Sequence, residues 1–289
     1  ERGGKTLFAL DTPGFADFVG EMRSAVGVAD SLILVVSGTS GIEVQTDKAW
    51  QTGEEFGLPA SFFISKLDRE NSDFEKVLSD IRSDYSDKAV PVFLPIGSES
   101  SFKGVIDVLK GRAYSYETNG SGKYVEGDIP ADMADAAAAA REALVEAVVE
   151  ADDDLMRRYL DGEAISDDEL IPVLRKAISK RLLLPVFPGS STLNIGVHQV
   201  LDFIVDYFPS PLESRPRTAT RDGESVEVAP DPSAPFSASC FKIMVDPFVG
   251  KLSFIRVNSG TLTSDNTIYN VNKHEDERIS SLKFMTGKE

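Results

Sequence analysis

Three apolar runs, residues 6–10, 31–36 and 60–64, are separated by helix-like stretches at 16–29 and 46–56, and this alternation most constrains the fold. Strand and helix patterns that alternate through the first 96 residues predict a parallel sheet covered by helices. In such a sheet, ligands meet the loops that leave the carboxyl ends of the strands. Those loops therefore carry the candidate chemistry.

The loop after the first run reads Asp11-Thr12-Pro13-Gly14-Phe15. A carboxylate at the end of a strand can hold Mg²⁺ through water, and a glycine amide can approach a phosphate closely. Asp11 and Gly14 are suited to those two roles, although four residues with two fixed also describe an ordinary strand-to-helix turn. The third run ends in Ser65-Lys66-Leu67-Asp68. There Asp68 can accept hydrogen bonds from the N1 and N2 hydrogens of guanine, which adenine lacks, while the aliphatic stem of Lys66 covers the base. Discrimination built on bonds that the wrong ligand cannot make is sharp. This is the guanine motif of GTPases, usually Asn-Lys-x-Asp, with Ser65 in place of Asn. Gly4-Lys5-Thr6 looks like the tail of a phosphate-binding loop, but the glycine required five residues earlier would precede Glu1, and an extended apolar run follows instead of a helix. It is rejected as such a loop.

The wider text resembles elongation factor G. The segments are Asp17-Phe18-Val19-Gly20-Glu21, Gly41-Ile42-Glu43-Val44-Gln45-Thr46, Lys66-Leu67-Asp68-Arg69, Phe102-Lys103-Gly104-Val105-Ile106-Asp107, Tyr207-Phe208-Pro209-Ser210-Pro211 and Asp246-Pro247-Phe248-Val249-Gly250-Lys251-Leu252, in family order. The resemblance implies a partial GTP-binding domain at 1–96 plus 181–213, an inserted α+β subdomain at 97–180 and a partial antiparallel β-barrel at 214–289. It implies GTP or GDP with Mg²⁺ as ligands, with Thr12 and Pro13 joining Asp11 and Gly14, and Gly189, Ser190 and Ser191 joining Ser65, Lys66 and Asp68. Family members read Gly-Ser-Ala at 189–191, where a backbone N–H meets the guanine oxygen. Ser191 for Ala costs little at a backbone donor.

Phe15 departs from the family more seriously. Relatives usually carry His there, and its imidazole positions the attacking water. A phenyl ring cannot, and loss of such a group typically removes about 10²- to 10⁴-fold of rate. The resemblance then implies a slow or partner-dependent GTP hydrolase, with a hydrolysis-deficient nucleotide switch or scaffold as the alternative. A ribosomal-protection or release-type GTPase is expected to keep the His. Ser65 lacks the amide arm that ties the guanine loop to the phosphate loop, either lowering base affinity or being compensated by water.

The resemblance also implies an internal piece of a longer protein, without the phosphate-binding loop, the first switch and the later domains, and inactive by itself. In family order the strand entering the phosphate loop lies between the 6–10 and 32–36 strands, so residues 6–10 are expected to be displaced or paired elsewhere.

Past residue 97 the pattern predicts strand material at 102–116, a glycine-rich hairpin at 115–127, and helices at 132–151, 153–160 and 166–181. Leu144, Val145, Val148 and Val149 share one face of the first helix, and Ser166 and Glu169 are spaced as a capping box on the last. A strand at 184–187 and a helix at 197–208, stopped by Pro209 and Pro211, follow. A linker at 214–235 leads to strands at 236–245, 251–257, 266–271 and 279–285.

The net charge of −17 argues against non-specific nucleic-acid binding. Residues 126–170 carry fifteen Asp and Glu against three Arg, −12 of that total. This stretch reads as a solvated helical face or as a surface for a basic partner. By family resemblance the insert faces the ribosomal stalk protein and the whole protein works on the ribosome. No apolar run approaches the roughly 20 residues of a membrane span, and no secretory leader is evident, so the expected compartment is cytoplasmic. Cys240, the one cysteine, reads as a buried small hydrophobe in a strand. His198 and His274 lack metal-ligand spacing and read as structural or solvent-exposed.

Overall fold

The computed structural model describes residues 1–247 and 250–284. It divides into a unit spanning Glu1–Arg215 and a second unit beginning at Pro216.

The first unit is built on a four-stranded parallel sheet in the order β1, β2, β8, β3, formed by Leu32–Ser37, Ala60–Ser65, Leu184–Pro188 and Ala89–Pro91. Every residue of β2 and β8 is buried, as the continuous apolar runs require when both sheet faces are covered. β1 alternates instead, burying Leu34 and Val36 and exposing Val35. It is an edge strand among the described residues. Helices α1 (Val19–Val28), α2 (Val44–Glu55) and α3 (Phe74–Asp84) alternate with these strands. α3, unread in the sequence, is capped by Asp73, whose carboxylate accepts from Lys76 N at 3.0 Å, and it buries Phe74, Val77, Leu78 and Ile81.

The first apolar run is a correction. Residues 6–14 form neither helix nor strand, and Leu7, Phe8 and Leu10 are exposed, so the expected strand is not formed. An extended run becomes a strand only when its backbone finds a partner, and no described strand runs beside this one. Just upstream, a turn at Arg2 to Lys5 rests on α7 (Val197–Tyr207). Arg2 grips Asp202 with both guanidinium arms and Lys5 Nζ donates to Val205 O at 2.7 Å.

A second sheet, antiparallel in the order β4, β5, β6, β7, joins Phe93–Ile96, Gly104–Asp107, Arg112–Tyr116 and Tyr124–Gly127. Helices α4 (Ala134–Val149), α5 (Asp153–Leu160) and α6 (Asp167–Ser179) follow. Leu144, Val148 and Val149 are fully buried with Leu170, Leu174 and Ile178 in one core that also contains Phe62, Phe187 and Ile106. The Ser166 and Glu169 capping box at the start of α6 is formed.

Among the described residues the second unit holds three two-stranded antiparallel sheets: β9 with β10 (Arg217–Arg221, Glu224–Val228), β11 with β12 (Ser237–Asp246, Gly250–Ser259) and β13 with β14 (Thr267–Asn270, Glu275–Arg278). The expected linker at 214–235 therefore contains a hairpin. Asp222 and Gly223 turn it with φ of 54° and 84°, the left-handed pair that a two-residue hairpin turn needs. The strand expected at 279–285 is displaced to Glu275–Arg278, where a turn ending in His274 returns the chain onto β13. Lys273 and Asn270 offset the acidic side chains of that strand through Glu277. Cys240 is exposed, not buried, at a register shift between Cys240 and Lys242. Phe248, Val249 and the expected strand end at Met285 lie outside the described residues.

Candidate guanine-recognition site

β2 delivers Ser65 to the carboxyl edge of the parallel sheet with 4% exposure. Lys66 then takes φ of 61°, a left-handed step that reverses side-chain direction. Lys66 stays in solvent while Leu67, at 3% exposure, anchors the loop in the core. The backbone around this step is tied on three sides. Ser65 O accepts from Gly38 N at 2.7 Å, Leu67 N donates to Gly189 O at 3.3 Å, and Leu67 O accepts from Glu99 N at 2.9 Å. Glu99 also accepts from Asn71 N at 2.7 Å through Oε1. No local pattern in the sequence announces Glu99, because its partners lie about thirty residues away.

Asp68 follows on this braced loop with its side chain only 9% exposed. Its Oδ2 lies 3.5 Å from Arg69 Nε, an arginine 59% exposed. Its Oδ1 is buried and finds no hydrogen-bond partner among the described residues. Buried polar atoms are nearly always bonded, so an unpartnered carboxylate oxygen identifies a position that a donor from outside the chain can fill.

The neighbouring loop leaves β8. Gly189 packs flat against Phe63: a Cβ there would fall 2.5 Å from the ring carbons, so a side chain is excluded by contact. Gly189 N donates to Ile64 O at 2.9 Å. Ser190 is fully buried, its Oγ accepts from Leu193 N at 3.1 Å, and its backbone exchanges hydrogen bonds with Ile195 at 3.1 and 2.9 Å. That closes the neck of the loop and leaves Ser191 exposed at the tip. Ser191 Oγ lies 3.2 Å from Ser65 Oγ, joining the two loops across the sheet edge.

The structure therefore brings Ser65, Lys66, Asp68, Gly189, Ser190 and Ser191 together. It does not bring Asp11, Thr12, Pro13, Gly14 or Phe15 into that hydrogen-bonded network. Asp11, Pro13 and Gly14 are exposed, Thr12 is half-buried, and Phe15 is 75% exposed. Phe15 O caps the short turn Ala16–Phe18 by accepting from Phe18 N at 3.0 Å. Among the described residues no group of three or more His, Cys, Asp or Glu could hold a metal ion, so Asp11 is not joined by further ligands. No helix of the described residues is long and apolar enough to cross a membrane.

The acidic stretch satisfies part of its own charge. Arg158 pairs with Glu163 and Glu169, and that guanidinium, with Ser166, pulls the Glu169 carboxyl down to about 2. Asp152 caps α5 and pairs with Lys176 at 3.5 Å. Beside it Glu150, Asp153, Asp154 and Arg157 line a shallow open hollow.

Residues 2–210 match the family described as elongation factor Tu GTP binding domain, and residues 235–289 match elongation factor G domain 2. Over 284 residues the chain is 38% identical to elongation factor G of Thermotoga sp. (strain RQ2), with 98% of this chain covered. Elongation factor G of Thermotoga maritima matches equally, at 38% over the same length. The chain spans about two fifths of these relatives, 41% of each. A crystal structure of a Thermus thermophilus protein superposes with a TM-score of 0.81 at 33% identity, covering 97% of this chain and 39% of that one.

Proposed function

We propose that this chain, which belongs to the elongation factor G family of translational GTPases, supplies the guanine-recognising part of a GTP/GDP site in a protein that acts at the ribosome. The observation that carries this reading is Asp68 Oδ1, buried and unpartnered on a loop whose backbone is braced from three sides. Asp68 would accept the N1 and N2 hydrogens of guanine, the Lys66 stem would cover the base, and the backbone donor at Ser191 would meet its oxygen, since Ser190 N is engaged with Ile195 O. Residues 1–96 with 181–213 would form the GTP-binding part, 97–180 its insert and 214–289 the second domain.

The phosphate side rests on sequence pattern alone. Asp11 would hold Mg²⁺ through water, with Thr12, Pro13 and Gly14 forming the turn. When bound, Mg²⁺ would supply charge neutralisation at the phosphates. Asp11 is exposed and, among the described residues, no cluster of further ligands joins it. Phe15 offers no donor or acceptor to an attacking water, which supports slow or partner-dependent hydrolysis in the full-length protein. The same ring, three-quarters exposed, supports a second reading, a hydrolysis-deficient switch or scaffold that acts through partner binding. A cytoplasmic setting, contact with the ribosomal stalk protein through the acidic insert, and no non-specific hold on nucleic acid complete the proposal.

The test is base selectivity of the full-length protein. GDP should bind in clear preference to ADP, and Asp68→Asn should shift preference toward XDP, whose C2 carbonyl matches an amide donor. A variant that keeps the original GDP-over-XDP ratio would show that Asp68 does not read the base.

A further inference from the structure

Two of the positions that depart from the family pattern, Ser65 for Asn and Ser191 for Ala, are 126 residues apart in sequence and in hydrogen-bond contact in space. We propose that Ser65 and Ser191 act as one positioning unit, whose hydroxyl pair sets the Asp68 loop against the β8 loop and so tunes guanine selectivity; the proposal rests on the nucleotide reading above. Either hydroxyl can donate and either can accept; with buried Ser65 donating, the proton of exposed Ser191 is left to solvent.

Its location gives the contact leverage. The Asp68 loop is fixed at its backbone by Gly38, Gly189 and Glu99, but these bonds hold residues 65–67 and stop short of the carboxylate. The β8 loop is closed at its neck by Ser190 with Ile195, again short of the tip. Ser65 is buried at the root of one loop and Ser191 is exposed at the tip of the other. Their 3.2 Å contact is the side-chain bridge between the loops. β2 and β8 are already parallel neighbours through Phe62↔Val186, Phe63↔Phe187 and Ile64↔Pro188, and the loops that follow share the backbone bond of Leu67 N to Gly189 O, so the bridge adds a side-chain contact beside it.

In this arrangement Ser191 compensates for the shorter side chain at position 65. The serine hydroxyl at 65 reaches the neighbouring loop, where Ser191 meets it at 3.2 Å. Selectivity thereby comes to depend on a residue that is otherwise a bystander with a backbone role.

The experiment is a double-mutant cycle in the full-length protein, with fluorescent GDP and IDP analogues as probes. Hypoxanthine lacks the 2-amino group, so the GDP-to-IDP affinity ratio reports how well Asp68 meets that group and not how well the protein holds nucleotides in general. Ser65→Ala and Ser191→Ala are each expected to lower that ratio about threefold to tenfold, the worth of one ordinary hydrogen bond. Ser65→Ala with Ser191→Ala together should lower it no further, and Ser191→Thr, which keeps the hydroxyl at an exposed position, should retain it. Losses that multiply in the double variant, ratios that do not move, GDP and IDP weakened in equal proportion, or a ratio lost in Ser191→Thr would each overturn the positioning unit. An unsubstituted protein that binds neither probe would instead overturn the nucleotide reading, and the proposal with it.

Discussion

If Asp68 is held ready for a ligand, the chain without ligand bears a cost that truncation removes. Asp68→Ala should therefore stabilise the first unit while abolishing base recognition. A buried acceptor left unbonded costs about 1–3 kcal/mol. The carboxylate is partly offset by Arg69 at 3.5 Å, but that arginine is 59% exposed, which limits the pair to about 1 kcal/mol or less. The net gain on truncation is about 1 kcal/mol. For a unit of 215 residues this corresponds to a rise in melting temperature of about 2–4 °C. Calorimetry of this chain, following the transition of the first unit, measures it. In the full-length protein the same substitution removes two charge-assisted bonds to guanine and should weaken GDP binding on the order of 10²- to 10⁴-fold. A first unit destabilised by about 1 kcal/mol or more would refute the reasoning, since it would mean that Oδ1 is satisfied in the free chain and Asp68 is a structural residue.

Phe15→His in the full-length protein should raise single-turnover GTP hydrolysis at saturating nucleotide; an unchanged rate would place the limit elsewhere than in the missing imidazole. Asp107, buried at the end of β5, has its carboxyl pushed above the ordinary range by desolvation, against the bond it accepts from Lys110 N at 2.8 Å. A raised carboxylate means that the folded state binds the proton more tightly than the unfolded state, so stability falls as pH rises through the folded value. Asp107→Asn keeps the acceptor and should raise the urea midpoint at neutral pH, with the difference vanishing in acid, where both side chains are neutral; a midpoint lowered at neutral pH would contradict this.

Legibility from sequence followed the distance over which each feature is decided. β2 and β8 are buried on both faces and show as unbroken apolar runs, and the α6 capping box lies within four residues. Asp68 was readable because strand, turn and carboxylate are contiguous. Residues 6–10 carry the same apolar signal as a strand and form none, because strand formation is settled by a partner and not by the run itself. Glu275–Arg278 fails in the opposite direction, as four charged residues become a strand once the preceding turn lays them on β13. The hairpin in 214–235 was available from Asp222-Gly223 and was masked by the charged composition around it. The bridge of Ser65 to Ser191 had no local signal, since the two serines lie 126 residues apart.

The two halves of the candidate site differ in what holds them, and that difference separates their functions. The base side stands on β2 and β8, every residue of which is buried, with Gly189 locked against Phe63 and Leu67 sunk in the core. Elements packed this way place side chains reproducibly and resist change elsewhere in the chain. Residues 6–15 have no such scaffold in this structure and expose Phe8 and Phe15 at 79% and 75%. On the proposed reading, guanine recognition would rest on the core and hydrolysis on a segment that packs on no such scaffold. Substitution at Phe15 accordingly acts on the chemical step and should leave the GDP-to-IDP ratio set by Asp68, Ser65 and Ser191 where it was.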